Sequence, residues 1–502
     1  MNEQLAKLFR NAAVYGFGRI LGKIISFLLI PFYTFYFSTS EYGVMEILNL
    51  AAMIAAVVLA PGLSTAVMRF FYDTENEKER KIVISTGLIT TLLVGGAVTA
   101  LAFLFPQWIS QMLLGSGRYR LLIELLAFGF FFTFSADIGW VYLRGKQRST
   151  LYTFLTQAFL ISSVLLNLLL VAVFKLGVAG CFWANAGAGG AIWAVLLFLT
   201  FRDVGLNFSA RKLFSLLKFG APLFTVWMAA FVLNYSDRFF LQRFWGIEVV
   251  GIYAVGYKFA YILSLLAIQP FQLMWEPQSY EISMRDDAPS LFSRIFVLYA
   301  AGLISVAFLL SLGIREVFEV MVGARFSAGY RFVPLLAFAY AIQGMGLFFE
   351  AGLLIRKKNV TLSIIGIVST LVCLVLNLFL IRSFAAWGAV WATFLSFAFL
   401  SAASYWFSSR AYPFQCHLSI ILKLAAWSVG LLLAGAAVPI QSTGVSIAFK
   451  LALLLVYLVV LWRQQLLPEG LLASLWADAV AWLRKRISPV SSSAPGQIKG
   501  VN

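Results

Sequence analysis

Apolar runs of about 20 residues, each long enough to cross a hydrocarbon layer about 30 Å thick, recur along the chain with short polar joints between them. Length and hydropathy predict spans at 11–37, 44–72, 82–105, 119–141, 151–174, 177–201, 213–241, 250–275, 291–313, 328–354, 360–382, 385–408, 418–440 and 444–463. The pattern predicts an all-α polytopic membrane protein with about fourteen transmembrane helices. None of the joints is long enough to hold a folded soluble domain. Pro31, Pro61, Pro222, Pro270 and Pro334 fall inside spans, where the missing N–H kinks a helix and offers a bending point.

Composition agrees with the pattern. Of the 502 residues, 61% are hydrophobic and 12% charged, and the mean hydropathy is +0.89. Soluble domains carry about 25% charged residues. The net charge of +17 would suggest a nucleic-acid partner in a soluble protein. Here, however, cations cluster in alternate joints, as in Lys78, Arg80 and Lys81, in Arg144, Lys146 and Arg148, and in Arg356, Lys357 and Lys358. Such asymmetry sets orientation, with both termini cytoplasmic and no nucleic acid involved. Cys181, Cys373 and Cys416 are scattered without CxxC spacing, so neither disulfides nor cysteine-ligated metals are expected. The N-terminal apolar run is too long for a signal peptide and reads as a retained first span.

The chain also matches itself. An offset of 208 residues brings EYGVMEI from Glu41 under VVGIYAV from Val249, and GCFWAN from Gly180 under GAVWAT from Gly388. Asp137, Gly139 and Arg144 similarly parallel Glu350, Gly352 and Lys357. Two six-helix lobes are expected, 1–210 and 211–410, related by an axis along the membrane normal, followed by two additional helices within 411–463. In 464–502 an amphipathic stripe of Leu472, Leu475, Trp476, Ala479 and Leu483 leads into Arg484, Lys485 and Arg486. That helix lies either on the cytoplasmic leaflet or against the bundle, and a disordered tail follows.

Charges inside spans are the candidate chemistry, since each costs about 2.5–3.5 kcal/mol at a helix centre unless it meets water or a partner. Arg19 and Lys23 lie four residues apart on one helix face and either line a cavity or snorkel to the cytoplasmic edge. Lys258, flanked by Tyr257 and Tyr261, is either a substrate contact or the partner of a carboxylate. Arg69 is a lumen cation or an interfacial one, and Asp237 with Arg238 is a functional pair or a structural clasp. Among the acids, Glu46, Asp137, Glu350 and Asp237 are candidates for proton or cation coupling, or else they neutralise the cations; Glu124 lies near a span end. Asn49, Asn167, Asn185 and Asn377 are explained by hydrogen bonds between helices. An excess of cations in a low-dielectric cavity favours an anionic substrate. No acid–base cluster or phosphate-binding motif accompanies the lone His417, so an enzyme is not expected, nor is any cofactor beyond a coupled proton or sodium ion.

The segments GRILGKIISFLLIPFYTFYFSTSEYGVMEIL, GLSTAVMRFF, NYSDRFFL and VGIYAVGYK resemble the polysaccharide-export branch of the multidrug, oligosaccharidyl-lipid and polysaccharide (MOP) flippase superfamily, the O-antigen and exopolysaccharide unit flippases. The resemblance covers nearly the whole chain in layout. It implies alternating access by two lobes around a cationic cavity. The implied substrate is an undecaprenyl-pyrophosphate-linked oligosaccharide, moved from the inner to the outer leaflet of a bacterial cytoplasmic membrane. Arg19, Lys23, Lys258 and Arg69 would meet the pyrophosphate and acidic sugars, and a polymerase and chain-length proteins would be partners. Rival readings are a peptidoglycan-precursor (lipid II) flippase, a multidrug or cation antiporter of the same superfamily, and a membrane polymerase or glycosyltransferase.

Overall fold

A computed structural model describes residue 27 and residues 29–438, 443–464 and 466. Arg19 and Lys23, most of the first expected span, and the expected amphipathic helix and tail lie outside the described residues. The described chain is helical almost throughout and holds no strand. Its helices are α1 (29–36), α2 (Thr39–Leu59), α3 (Leu63–Tyr72), α4 (Glu77–Leu104), α5 (Pro106–Leu114), α6 (Arg120–Gly145), α7 (Ser149–Asn167), α8 (Gly177–Val204) and α9 (Ala210–Trp245). They continue as α10 (Ile247–Leu263), α11 (Gln269–Ile282), α12 (Ala288–Met321), α13 (Val333–Ile355), α14 (Asn359–Leu376), α15 (Arg382–Ala411), α16 (Leu418–Ala437) and α17 (Thr443–Arg463).

Eleven helical segments among the described residues are long and apolar enough to cross a membrane, against the fourteen expected. Part of the difference is local geometry. One of the eleven, the 53-residue segment Asn359–Ala411, is two helices folded about Ala385, whose φ of 51° and ψ of −130° turn the chain back. The protein is a multi-pass membrane protein.

Local sequence explains the helix ends. Ser38 and Glu41 form a reciprocal cap at the start of α2: the Glu41 N–H donates to Ser38 Oγ at 3.2 Å, and the Ser38 N–H donates to the Glu41 carboxylate at 2.8 Å. The expected single span 44–72 is broken into α2 and α3 at Pro61–Gly62. Pro61 has no N–H to continue the helix, and Gly62 adopts a φ of 63° that side chains resist. Pro222 is instead carried within the continuous helix α9. The short helix α5 falls in a joint the apolar pattern left empty, because nine residues are too few to read as a span.

Backbone landmarks repeat along the chain. Residues with positive φ end the turns after α6 and α13 at Gln147 and Lys357, and recur at Lys175 and Ala385. A π-helical turn extends α7 over Leu168–Val173 and α14 over Asn377–Ile381. Helix α6 packs on α4 and α8, and α13 packs on α12 and α15. The positive-φ residues match at an offset of 210, whereas Asp137 and Glu350 are 213 apart, so the two acids stand nearly one helical turn out of correspondence.

The two groups of helices meet along α2 and α10 at one end of the bundle, here the Ser38 end, and along α3 and α9 towards the opposite, Asp73 end. Gly43 and Gly251 make the first contact possible: a Cβ on Gly43 would sit 2.1 Å from the Ile247 carbonyl oxygen, and one on Gly251 2.1 Å from that of Thr39. Thr34 Oγ1 accepts a buried hydrogen bond from the Gly323 N–H at 3.1 Å, tying α1 to the segment before α13.

Helix α17 is fastened to α12 by Lys450, whose ammonium lies 2.5 Å and 2.6 Å from the two oxygens of Glu316. Both side chains are partly shielded, at 21% and 28% exposure. Lys450→Met is expected to cost about 1–3 kcal/mol, between an exposed and a buried pair. A fall in the melting temperature of the purified protein that is largely restored by adding Glu316→Leu would confirm the coupling; additive losses would refute it.

Candidate functional site

Four charged side chains from three helices converge between α2, α9 and α10. Helix α2 supplies Glu46, two turns from its start; α9 supplies Asp237 and Arg238; α10 supplies Lys258. Lys258 Nζ lies 2.6 Å from Glu46 Oε2 and donates to the Tyr42 hydroxyl at 3.1 Å. Arg238 Nη1 donates to Asp237 Oδ1 and to the Asn234 carbonyl, each at 2.7 Å, and Arg238 Nε lies 3.9 Å from Glu46 Oε1. The Tyr253 hydroxyl donates to the other oxygen of Asp237. Arg238 is 1% exposed, and its guanidinium stands 3.7 Å from the centre of the Tyr257 ring. Stacking of that kind stabilises by roughly 2 kcal/mol when desolvated.

Two anions thus face two cations, and the cluster carries no net charge. This neutrality lets charges sit at membrane depth, where an isolated one would be strongly unfavourable. Lys258 differs from Arg238 in one respect: 34% of its side chain remains exposed. It is the member of the cluster that a ligand can reach.

Towards the Asp73 end, beneath this cluster, lies a cavity of about 450 Å³. Its walls come from α2, α9, α10 with the π-helical turn Ser264–Ile268, α11 and α13. Asn234 and Tyr261 line it one turn from Arg238 and Lys258, so the cavity adjoins the charge cluster although none of the four charged side chains lines it. Along α13, Tyr340, Gln343 and Leu347 face it, and Glu350 continues the same face one turn further.

The remaining candidates are spread out. Arg69, with 60% of its side chain exposed, pairs with Asp73 at 3.6 Å, and its guanidinium lies 5.1 Å from the Phe219 ring centre. Asp137 accepts a hydrogen bond from the Ser64 hydroxyl. Glu350 makes no hydrogen bond or ion pair among the described residues. Asn167 and Asn377 bridge helices, the first accepting from the Tyr33 hydroxyl at 2.9 Å and the second donating to Ser236 Oγ at 3.0 Å.

The sequence marked Glu46, Asp237, Arg238 and Lys258 as separate candidates, and the structure brings the four together. The charge pattern missed the tyrosines Tyr42 and Tyr253 that complete the cluster, and the cavity's amides, Gln269, Gln272 and Gln343. The tyrosines hide among many aromatics. The glutamines carried a usable signal, because an amide inside an apolar span needs a partner as an asparagine does.

The helical bundle, with its charge cluster and the cavity beside it, shares its fold with solved membrane-protein structures. Lipid II flippase MurJ in an inward closed conformation superposes with a TM-score of 0.70 at 14% identity, covering 91% of this chain and 100% of that one. An inward-facing multidrug resistance MATE family transporter of the MOP superfamily gives 0.61 at 13% identity, covering 80% and 96%. The chain belongs to the polysaccharide biosynthesis protein family, which it matches over residues 8–283. An Lsg-locus protein of Haemophilus influenzae is 21% identical over 281 residues, and a membrane protein of the same organism is 22% identical over 273. These matches cover 55% and 52% of this chain, which spans just under two thirds of each relative, 66% and 62%.

Proposed function

We propose that the protein is a flippase that carries an undecaprenyl-pyrophosphate-linked oligosaccharide across the cytoplasmic membrane for surface polysaccharide synthesis. The observation that carries this reading is the cavity between the apolar helices, one turn from a charge cluster in which Lys258 is paired with Glu46 yet 34% exposed. A lipid tail stays in the bilayer while its head follows such a wet path, so a side opening suffices and no wide pore is needed.

In this reading the Ser38 end faces outward, both termini are cytoplasmic, and the groups 1–210 and 211–410 act as lobes that rock about the cavity. Lys258 and Arg69, with Arg19 and Lys23 as sequence candidates, meet the phosphates. Arg238, buried against Asp237, holds the seam between α9 and α10. A phosphate arriving at Lys258 competes with Glu46 for the same ammonium, which couples substrate binding to release of the α2–α10 contact. Glu350, without a partner among the described residues on the cavity face of α13, is the acid best placed for a coupled proton, and Asp137 the second. Outward movement of an anionic head is also favoured by about 2.3 kcal/mol per charge per 100 mV when the inside is negative.

Deleting the gene is expected to remove one surface polysaccharide while wall synthesis continues. Lys258→Ala and Lys23→Ala are each expected to lower that polymer without loss of protein from the membrane. Normal polymer in both variants would remove these residues from the mechanism. The shape shared with the MurJ structure favours a second reading, a peptidoglycan-precursor flippase, and arrest of wall synthesis on depletion would select it.

A further inference from the structure

The cavity beneath the charge cluster has a lining unlike the cluster itself. Among the described residues, no Lys, Arg, His, Asp or Glu lines it; aromatic rings and side-chain amides dominate. Trp227 on α9 lines the cavity, is 38% exposed and makes no ring contact among the described residues. Across from it Tyr261 and Tyr340 meet edge to face, with centroids 5.6 Å apart. Gln272 and Gln343 line the cavity and form no hydrogen bond among the described residues. Each brings two donors and an acceptor to the cavity wall with no partner among the described residues, Gln272 exposed and Gln343 partly so, free to pair with water or a ligand.

Flat rings beside uncommitted amides match the chemistry of a neutral sugar. The C–H face of a pyranose packs on an aromatic ring, while hydroxyl and acetamido groups offer paired donors and acceptors to primary amides. The volume of about 450 Å³ lies in the range of small-molecule sites, roughly 300–1,000 Å³, and holds a short run of sugar rings. A carboxylate placed here would lose its hydration with no cation among the described residues of the wall to replace it.

We infer that this cavity is a subsite for uncharged, N-acetylated sugar residues of the carried glycan, reading them by stacking on Trp227 and by hydrogen bonds to Gln272 and Gln343. The inference rests on the flippase reading and deepens it: the charged head goes to the cations, and uronic acids are excluded from this wall. Selectivity among glycans then arises from the amides, because a substrate that cannot pair with them forgoes those hydrogen bonds.

The test uses the full-length protein in proteoliposomes and three radiolabelled polyprenyl pyrophosphates. One carries a neutral N-acetylated disaccharide, one a uronate-containing disaccharide of the same length, and one no sugar. Filter binding is measured for all three, and transfer of the two glycosylated lipids is followed by their reaction with periodate added outside. The neutral form is expected to bind about tenfold tighter than the uronate form, and Trp227→Leu or Gln343→Leu to remove about tenfold of that affinity, the order of one sugar contact. Binding of the sugar-free lipid should be unchanged in both variants, which also reports an intact fold. Equal affinity for the two glycans, or neutral-sugar affinity indifferent to both substitutions, would overturn the inference and leave the flippase reading standing. Failure to bind or move either glycosylated lipid would end that reading and the inference with it.

Discussion

Asp237→Leu is expected to lower the stability of the purified protein by about 3–5 kcal/mol, because it leaves Arg238 buried with its principal counter-charge removed. Arg238 is 1% exposed and donates its hydrogen bonds to Asp237 and the Asn234 carbonyl. With Asp237 gone, the nearest remaining acid is Glu46 at 3.9 Å, already 2.6 Å from Lys258. One anion would then serve two cations at membrane depth. Adding Arg238→Met should recover most of the loss, since exchanging a whole buried ion pair for packed apolar side chains is often neutral. Thermal denaturation of the single and double variants in detergent measures the coupling. If Asp237→Leu melts like the parent, or the double variant is no better than the single, the cluster does not hold the seam.

Gly251→Val is expected to disfavour the α2–α10 contact and shift the protein toward an arrangement open at the Ser38 end. Even a methyl group at this position would come within 2.1 Å of the Thr39 carbonyl oxygen, a backbone atom that cannot rotate away. Overpacking of that kind costs about 1–3 kcal/mol, and here it falls on the closed arrangement alone, so the population ratio should change by roughly tenfold to a hundredfold. The same seam holds Glu46 against Lys258, so opening it also frees the cation for a phosphate. A cysteine at Ser264, on the cavity wall, reports the change: its labelling by a membrane-impermeant maleimide applied to the outer face should rise by at least about tenfold. Unchanged labelling, with the protein present in the membrane at parental level, would show that the glycine pair is not what closes that end.

The two predictions depend on facts of different legibility. Gly43 and Gly251 were visible in the sequence as matched positions of a repeat, EYGVMEI against VVGIYAV, but not as partners facing each other across a seam. Asp237 and Arg238 were visible as charges where hydrocarbon was expected, and the choice between a functional pair and a clasp stayed open. Both depend on which helix face meets which neighbour.

Taken alone, the sequence determined that the chain lies in a membrane, where most spans run, and which residues are too polar for lipid. Those properties follow from the thickness of the hydrocarbon layer and the solvation of single side chains, so each run of residues carries its own answer. The break at Pro61–Gly62 was half legible, as a proline without its consequence. Tertiary structure decided the rest: that Lys258 reaches Glu46 across 212 residues of chain, that Arg238 is enclosed by Tyr257 and Asp237, and that glutamines from α11 and α13 share one cavity wall. Pairing energies depend on distances between segments remote in sequence, and a one-turn difference in how two helices pack exchanges one set of partners for another.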